Sequence, residues 1–427
     1  MDFALWMAIA FGFYMAWSIG ANDAANAMGT SVGSKAVSFR EAVIIAAIFE
    51  FAGAMIAGGG VADTMRSGIV DPALFADPTL FPAGNGAELF IWGMMASLIS
   101  AALWLHIAAY LGWPVSTTHS IVGAITGFGA VSVGIANVEW LKLLTIAASW
   151  LTSPLLGGVL SFIIFLVIRK AILDAKNANL GLRLVSPILA MPVFMTLTLV
   201  LFTKGLKKLH GTFAEYGIGN IEMIGISALV GVLSSLVLAF AIRKIHIAAD
   251  ESSESKYAKI EKVFRYLQVI TACFVAFAHG SNDVANSIGP VAAIVGTLET
   301  MDMTAGKVPI PSWVLLLGAV GIVVGLATYG YRVIETIGTK ITEITPTRGF
   351  AAEFGAASTI LIGSHFGIPL STTHTVVGSV IGVGFARGMN ALNLKIIINI
   401  LKSWLYTIPF CGILTIILYY LFTAIFV

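Results

Sequence analysis

The sequence predicts an all-α polytopic membrane protein of about twelve transmembrane segments, built as two inverted five-segment repeats whose interrupted helices meet at the midplane. Three observations carry this expectation. Of the 427 residues, 58% are hydrophobic and 11% charged, and mean hydropathy is +0.94; an ordinary soluble chain is charged at about a quarter of its positions. Gly20-Ala21-Asn22-Asp23-Ala24-Ala25-Asn26 recurs as Gly280-Ser281-Asn282-Asp283-Val284-Ala285-Asn286, and Val115-Ser116-Thr117-Thr118-His119 recurs as Leu370-Ser371-Thr372-Thr373-His374, each behind a proline, Pro114 or Pro369. The aspartates stand 260 residues apart and the serines 255, so the motif pairs keep their order and spacing, as an internal duplication requires.

Stretches near the ~20-residue bilayer length fall, in order, at 3–28, 38–60, 88–111, 115–136, 141–168, 186–203, 222–242, 266–294, 312–331, 349–367, 371–386 and 394–426. The first is apolar from Phe3 to Ile19 without a basic n-region or small-residue cleavage site, so it reads as a retained span. Between the second and third, Ala62 to Gly86 with Pro72, Pro78 and Pro82 reads as a long external loop. The sixth and seventh form a linker, followed by the polar run Asp250-Glu251-Ser252-Ser253-Glu254-Ser255-Lys256, read as a solvated cytoplasmic loop. Segments broken by Gly or Pro at the motifs must have their freed backbone groups satisfied by protein, ion or substrate.

Basic residues orient the chain. With the N-terminus outside, most Lys and Arg, from Lys35 and Arg40 to Arg387 and Lys395, collect on the cytoplasmic side. Arg66, Lys142, Lys204, Lys207, Lys208 and Lys307 stay outside, and Lys402 lies within a span. Both termini are then external in the cell membrane. The first segment runs inward and the eighth outward, so the repeats are inverted: residues 1–170, a 171–262 linker with two segments, and 263–427. Ser149-Trp150-Leu151 before Pro154, echoed by Ser403-Trp404-Leu405 before Pro409, supports the pairing. No run of Lys and Arg is interleaved with aromatics, which sets nucleic acid aside. Cys273 and Cys411 sit in apolar stretches and read as small buried hydrophobes.

An aspartate inside a span costs about 2.5–3.5 kcal/mol on insertion scales, so two in matched settings point to an ion or substrate site. Aspartate charge with Asn carbonyls, Ser and Thr hydroxyls and backbone carbonyls suits a hard monovalent cation such as Na+, and no soft ligand is on offer. Helix starts after Pro-x-Ser-Thr-Thr present unpaired N–H groups and hydroxyl donors, which suit an oxyanion. The motifs contain no Lys or Arg, so an anion beside two aspartates requires cations to neutralise them, a route to obligate symport. His119 and His374 read either as proton or anion contacts or as residues bonded to a neighbouring helix. Glu50 and Glu353 are intramembrane carboxylates without carboxylate twins, read either as cation contacts or as structural partners of a hydroxyl or amide.

The doubled Gly-x-Asn-Asp-x-x-Asn with Pro-x-Ser-Thr-Thr-His in each half resembles the inorganic phosphate transporter (PiT) family across nearly the whole chain. The resemblance implies Na+- or H+-coupled uptake of inorganic phosphate by alternating access in a homodimer. Carried over, it makes Asn22, Asp23, Asn26, Asn282, Asp283 and Asn286 the acid-amide half of a site, and Ser116, Thr117, Thr118, Ser371, Thr372 and Thr373 the hydroxyl half. Within it, Asn22, Asp23, Asn282 and Asp283 are assigned to Na+; the hydroxyls with Asn26 and Asn286 are assigned to phosphate. Na+ serves as coupling ion, with no other cofactor.

The reading is a Na+-coupled phosphate symporter. Its runner-up is a proton-coupled phosphate or sulfate permease. An intramembrane hydrolase using Ser and His fails, because duplicate catalytic centres are unneeded and no oxyanion hole or orienting third group is evident. A channel fits the broken, paired repeats less well than a gated carrier.

Overall fold

The computed structural model describes residues 2–205, 219–245, 247, 251–301, 303 and 309–427, without the side chains of 2, 25, 26, 204 and 205. Lys207, Lys208, Asp250 and Lys307, and the side chains of Asn26 and Lys204, therefore lie outside the described residues. Among the described residues there is no β-strand, only an isolated bridge between Val70 and Val138.

Helix α1 (Asp2–Ile19) passes through a π-helical turn, Gly20–Ala24, into α2 (Ala25–Gly33). A capping box starts α3 (Phe39–Ala57): Ser38 Oγ accepts from the Glu41 amide at 3.3 Å and the Glu41 carboxylate accepts from the Ser38 amide at 2.6 Å. It bends by 64° into α4 (Gly59–Ser67). Next come α5 (Gly86–Leu111), α6 (Thr117–Gly129), α7 (Trp140–Ile168), α8 (Ala178–Val200) and α9 (Asn220–Ile242). The second half comprises α10 (Ser253–Asp283), α11 (Ala285–Thr300), α12 (Ser312–Tyr329), α13 (Tyr331–Glu335), α14 (Pro346–His365), α15 (Thr372–Arg387) and α16 (Leu394–Phe426).

Among the described residues nine helices are long and apolar enough to cross a bilayer, or ten if the bent α3–α4 pair counts as one span. The two further segments predicted from sequence, 349–367 and 371–386, are helices that fall short. Helix α15 has 16 residues, and α14 carries Arg348, Glu353 and His365 along its 20. Their sequences are less apolar because their surroundings are protein: most residues of both are buried. Lipid-facing helices look different, with Leu151 on α7, Val237 on α9 and Leu405 on α16 each at least 70% exposed.

Two loops predicted from sequence are partly helical. The start of the 62–86 stretch is α4, which buries Val61, Ala62 and Met65. The polar run is the first turn of α10 from Ser253 onward, capped by Ser252 Oγ, which accepts from the Ser255 amide at 3.3 Å. Nor do the acid-amide motifs unwind. The first is a π turn and the second is interrupted only at Val284, so the backbone carbonyls expected to be freed there remain largely within helix.

Helix packing comes in matched pairs. As α1 packs on α12 and α5, so α10 packs on α3 and α14; as α6 packs on α16, so α15 packs on α7. The motif glycines explain how closely α1 and α10 approach their partners. A Cβ on Gly20 would lie 1.9 Å from the Ile322 carbonyl oxygen, and one on Gly280 would lie 2.1 Å from that of Glu50. Backbone meets backbone at both, so only glycine fits.

Candidate ion and oxyanion site

The Ser-Thr-Thr motifs are placed by two like-built loops. Gly112 closes α5 and Gly367 follows α14, each at φ +68° in the left-handed region that suits glycine, and Pro114 and Pro369 then hold the chain extended. Ser116 and Ser371 are N-caps: their Oγ atoms accept from the amides of His119 at 3.1 Å and His374 at 3.2 Å. The serines thus start α6 and α15 and aim the following threonines into the protein.

Those threonines meet the aspartates. Thr117 Oγ1 donates to Asp23 Oδ2 at 2.6 Å and Thr372 Oγ1 donates to Asp283 Oδ2 at 2.5 Å, one pair in each half. Thr373 crosses between halves, donating to Asp23 Oδ1 at 2.5 Å and contacting the Val115 carbonyl at 3.1 Å; Thr118 reaches the Leu370 carbonyl at 2.8 Å. The Thr117 amide, at the start of α6, donates to Asp23 Oδ2 at 3.3 Å, so a carboxylate already occupies the helix end that attracts anions. All of these groups are buried.

The asparagines frame the cluster. Asn22 Nδ2 donates to the Trp113 carbonyl at 2.9 Å and its Oδ1 accepts from the Val115 amide at 3.2 Å, tying α1 to the loop ahead of α6. Asn282, with its amide nitrogen facing acceptors, donates to the Leu370 carbonyl and Asp283 Oδ1, both at 3.2 Å, and accepts from Ser364 Oγ at 2.9 Å. Asn286 Nδ2 donates to Thr117 Oγ1 at 3.0 Å and Thr118 Oγ1 at 3.3 Å. The acid-amide and hydroxyl halves are therefore one interleaved cluster rather than two facing surfaces. Asn26 shares the α2 backbone, and its side chain is outside the described residues.

One member was missed from sequence. His279 places Nε2 3.0 Å from Asp283 Oδ2 and Nδ1 3.3 Å from Glu50 Oε1, all three side chains nearly inaccessible. One ligand atom each from Asp23, His279 and Asp283 lies within 4.8 Å of the others. Two ionised carboxylates this close repel by about 3.5 kcal/mol or more at an effective dielectric near 20, so the cluster favours a cation between them. The signal was there: His279 immediately precedes the second motif and stands four residues from Asp283, one helical turn. The first motif has Ile19 at that place, so a search for duplicated residues passed over it.

Glu50 accordingly pairs with His279. Glu353 lies in a separate polar knot, accepting from Thr30 at 2.7 Å, Ser31 at 2.5 Å and Gln268 at 2.9 Å on Oε1 and from Thr271 at 2.6 Å on Oε2. His119 and His374 sit in an aromatic stack. Their rings are 4.3 Å apart, His119 lies 3.8 Å from Trp150, and His374 stacks 3.4 Å from Trp404. His374 Nδ1 is 3.3 Å from the Trp150 carbonyl, a neighbouring-helix contact.

Residues 19–415 match the model of the phosphate transporter family. A protein of Pyrococcus abyssi named as a phosphate permease is 43% identical over 419 residues, covering 98% of each chain. Inorganic phosphate transporter 2-1 of Arabidopsis thaliana, a chloroplast protein, is 42% identical over 442 residues, covering 97% of this chain and 71% of its own. A solved structure titled as the sodium-dependent phosphate transporter superposes with a TM-score of 0.86 at 38% identity, covering 100% of both chains.

Proposed function

The chain belongs to the phosphate transporter family, and from that premise we propose that it imports inorganic phosphate by Na+-coupled symport with alternating access. Membership in a transporter family replaces the hydrolase reading. The observation that carries the proposal is the buried cluster in which Thr117, Thr372 and Thr373 donate to Asp23 and Asp283. Carboxylates without a Lys or Arg among them suit Na+, with Asn22, Asn282 and the threonine oxygens as neutral ligands. Phosphate takes the hydroxyls of Ser116, Thr117, Thr118, Ser371, Thr372 and Thr373, the amides of Asn26 and Asn286, and the starts of α6 and α15.

Coupling follows from the hydrogen bonds. Without a cation, the threonine protons point at carboxylates. When Na+ takes the carboxylate charge, a threonine oxygen can ligate the ion while its proton turns to phosphate, so each ligand prepares the site for the other. The solved relative's title names sodium dependence, which favours Na+ here.

The matched packing of α1 and α6 with that of α10 and α15 supports two inverted five-segment repeats, 1–170 and 263–427, around a 171–262 linker. The expected twelve crossings count α14 and α15 among them. The basic-residue bias favours both termini outside, and family resemblance favours a homodimer.

His279, held between Asp283 and Glu50, favours the proton-coupled phosphate or sulfate permease as second reading, because it puts a protonatable group against the cation ligands. Uptake of phosphate and sulfate by the reconstituted protein, under separately imposed Na+ and proton gradients, tests both. Phosphate uptake driven by Na+ alone is expected; uptake driven only by protons, or preference for sulfate, overturns the first reading.

A further inference from the structure

A cavity of about 460 Å3 lies outside the acid-hydroxyl cluster. Its wall includes Trp113 and Pro114 ahead of α6, Lys340 at the end of the π turn Thr336–Lys340, and Ile400, Lys402 and Tyr406 on α16. No Asp or Glu lines it. Lys340 has an ion pair with Glu335 at 3.7 Å, but Glu335 is exposed and outside the lining. Lys402 forms no ion pair among the described residues.

Lys402 is the unexpected element. It stands eight residues into the 33-residue α16, about 12 Å along the helix at 1.5 Å per residue. Beyond it α16 has no charged residue. At about 50 Å, α16 is longer than the ~30 Å hydrocarbon core, so Lys402 lies near one membrane interface, exposed and lining the cavity, where its ammonium group is available to an anionic ligand.

A second cavity sharpens the contrast. A cavity of about 290 Å3 behind the Pro369 loop is lined by Lys142 and also by Asp63, so its wall carries both signs. The Lys340–Lys402 cavity carries only positive charge, and its floor is the loop whose carbonyls hold Asn22, through Trp113, and Trp404, through Pro114. The cavity therefore lies against the loop that leads into α6.

We propose that this cavity binds a phosphate group through Lys340 and Lys402. The group comes either as free inorganic phosphate passing between the bulk and the central cluster, or as the headgroup of an anionic phospholipid whose chains lie against Ile400 and Tyr406. Basic pockets between membrane helices bind such headgroups, and ammonium groups bind phosphate as point charges. The free-phosphate source rests on the transport reading; the lipid source does not.

The test is the rate at which an amine-acylating reagent modifies Lys402, read by mass spectrometry on the full chain in phosphatidylcholine vesicles. Lys395, on the same helix outside the lining, is the internal control. At a phosphate concentration about ten times its dissociation constant, occupancy slows labelling of a protected amine about tenfold. Slowing at Lys402 but not Lys395 by phosphate, with chloride at equal ionic strength inert, supports the site with free phosphate as ligand. Slowing by added phosphatidylglycerol but not by phosphate supports it with a lipid headgroup. Protection by neither, or equal slowing at Lys395, overturns it. The phosphate arm is repeated in Asp283→Asn, where Na+-coupled transport is expected to fail. Protection that survives there belongs to this cavity whatever becomes of the symport reading; loss there assigns the effect to the central cluster and overturns the proposal.

Discussion

The Thr373 hydroxyl donates to Asp23 Oδ1 at 2.5 Å, joining residues 350 positions apart and one motif from each half of the chain. The contact makes the cluster a shared product of both halves, and under the proposed function it joins an oxyanion donor to a cation ligand at a single bond.

Replacing either aspartate removes charge while keeping shape. Asp23→Asn keeps an acceptor for Thr117 or Thr373, and Asp283→Asn keeps one for Thr372, so both variants are expected to fold and reach the membrane. Na+-driven phosphate uptake is expected to be lost in each. Normal uptake with unchanged Na+ dependence in both variants would remove the aspartates from the cation site.

Thr118→Val and Thr373→Val keep shape and delete a donor. Leaving a phosphate oxygen underbonded costs roughly 1–3 kcal/mol, which converts to about 5–150-fold weaker phosphate binding. Equilibrium binding of labelled phosphate at saturating Na+ measures it. Wild-type affinity in both variants would take the hydroxyls out of the anion site.

Gly280→Ala sets a Cβ 2.1 Å from the Glu50 carbonyl oxygen, a backbone atom that moves only if α3 and α10 separate. Overpacking of about 1–3 kcal/mol is expected, read as a lower melting temperature of the purified protein. Gly59→Ala is the control, because nothing lies within 4 Å of its added carbon. Equal melting temperatures for the two variants would show that the helices are not held this closely.

Topology is open to a separate check. Arg40 and Ala83 are both exposed, and the basic-residue bias puts them on opposite faces of the membrane. Single cysteines there, in a background lacking Cys273 and Cys411, are expected to label from opposite sides. An impermeant reagent that reaches both from outside intact cells contradicts the orientation.

What the sequence made legible was whatever it repeated. Asp23 and Asp283, and Thr117 and Thr372, could be paired by register alone, and the structure brings each pair of motifs together. His279 escaped because it is unique to one half: Ile19 stands where a second histidine would. Glu353 stands out in the sequence as an intramembrane carboxylate with two readings, and the structure gives it hydroxyl and amide partners, Thr30, Ser31, Gln268 and Thr271, that only the packing of distant helices brings together. By length and composition α14 and α15 fall short of spans, since helices enclosed by protein need not be apolar all round. The kinship of the Ser116 and Ser371 hydroxyls with helix caps was readable in Pro-x-Ser-Thr-Thr, but which threonine faced which carboxylate depended on packing between halves.

The most direct test of interdependent cation and anion binding is phosphate affinity of the purified protein as Na+ rises from trace to saturating at constant ionic strength, with choline or K+ as the substitute. Coupling of the usual 1–3 kcal/mol appears as roughly a 5–150-fold gain in phosphate affinity, with a reciprocal gain in Na+ affinity when phosphate is added. Phosphate that binds equally tightly with and without Na+ contradicts the shared cluster as a coupling device.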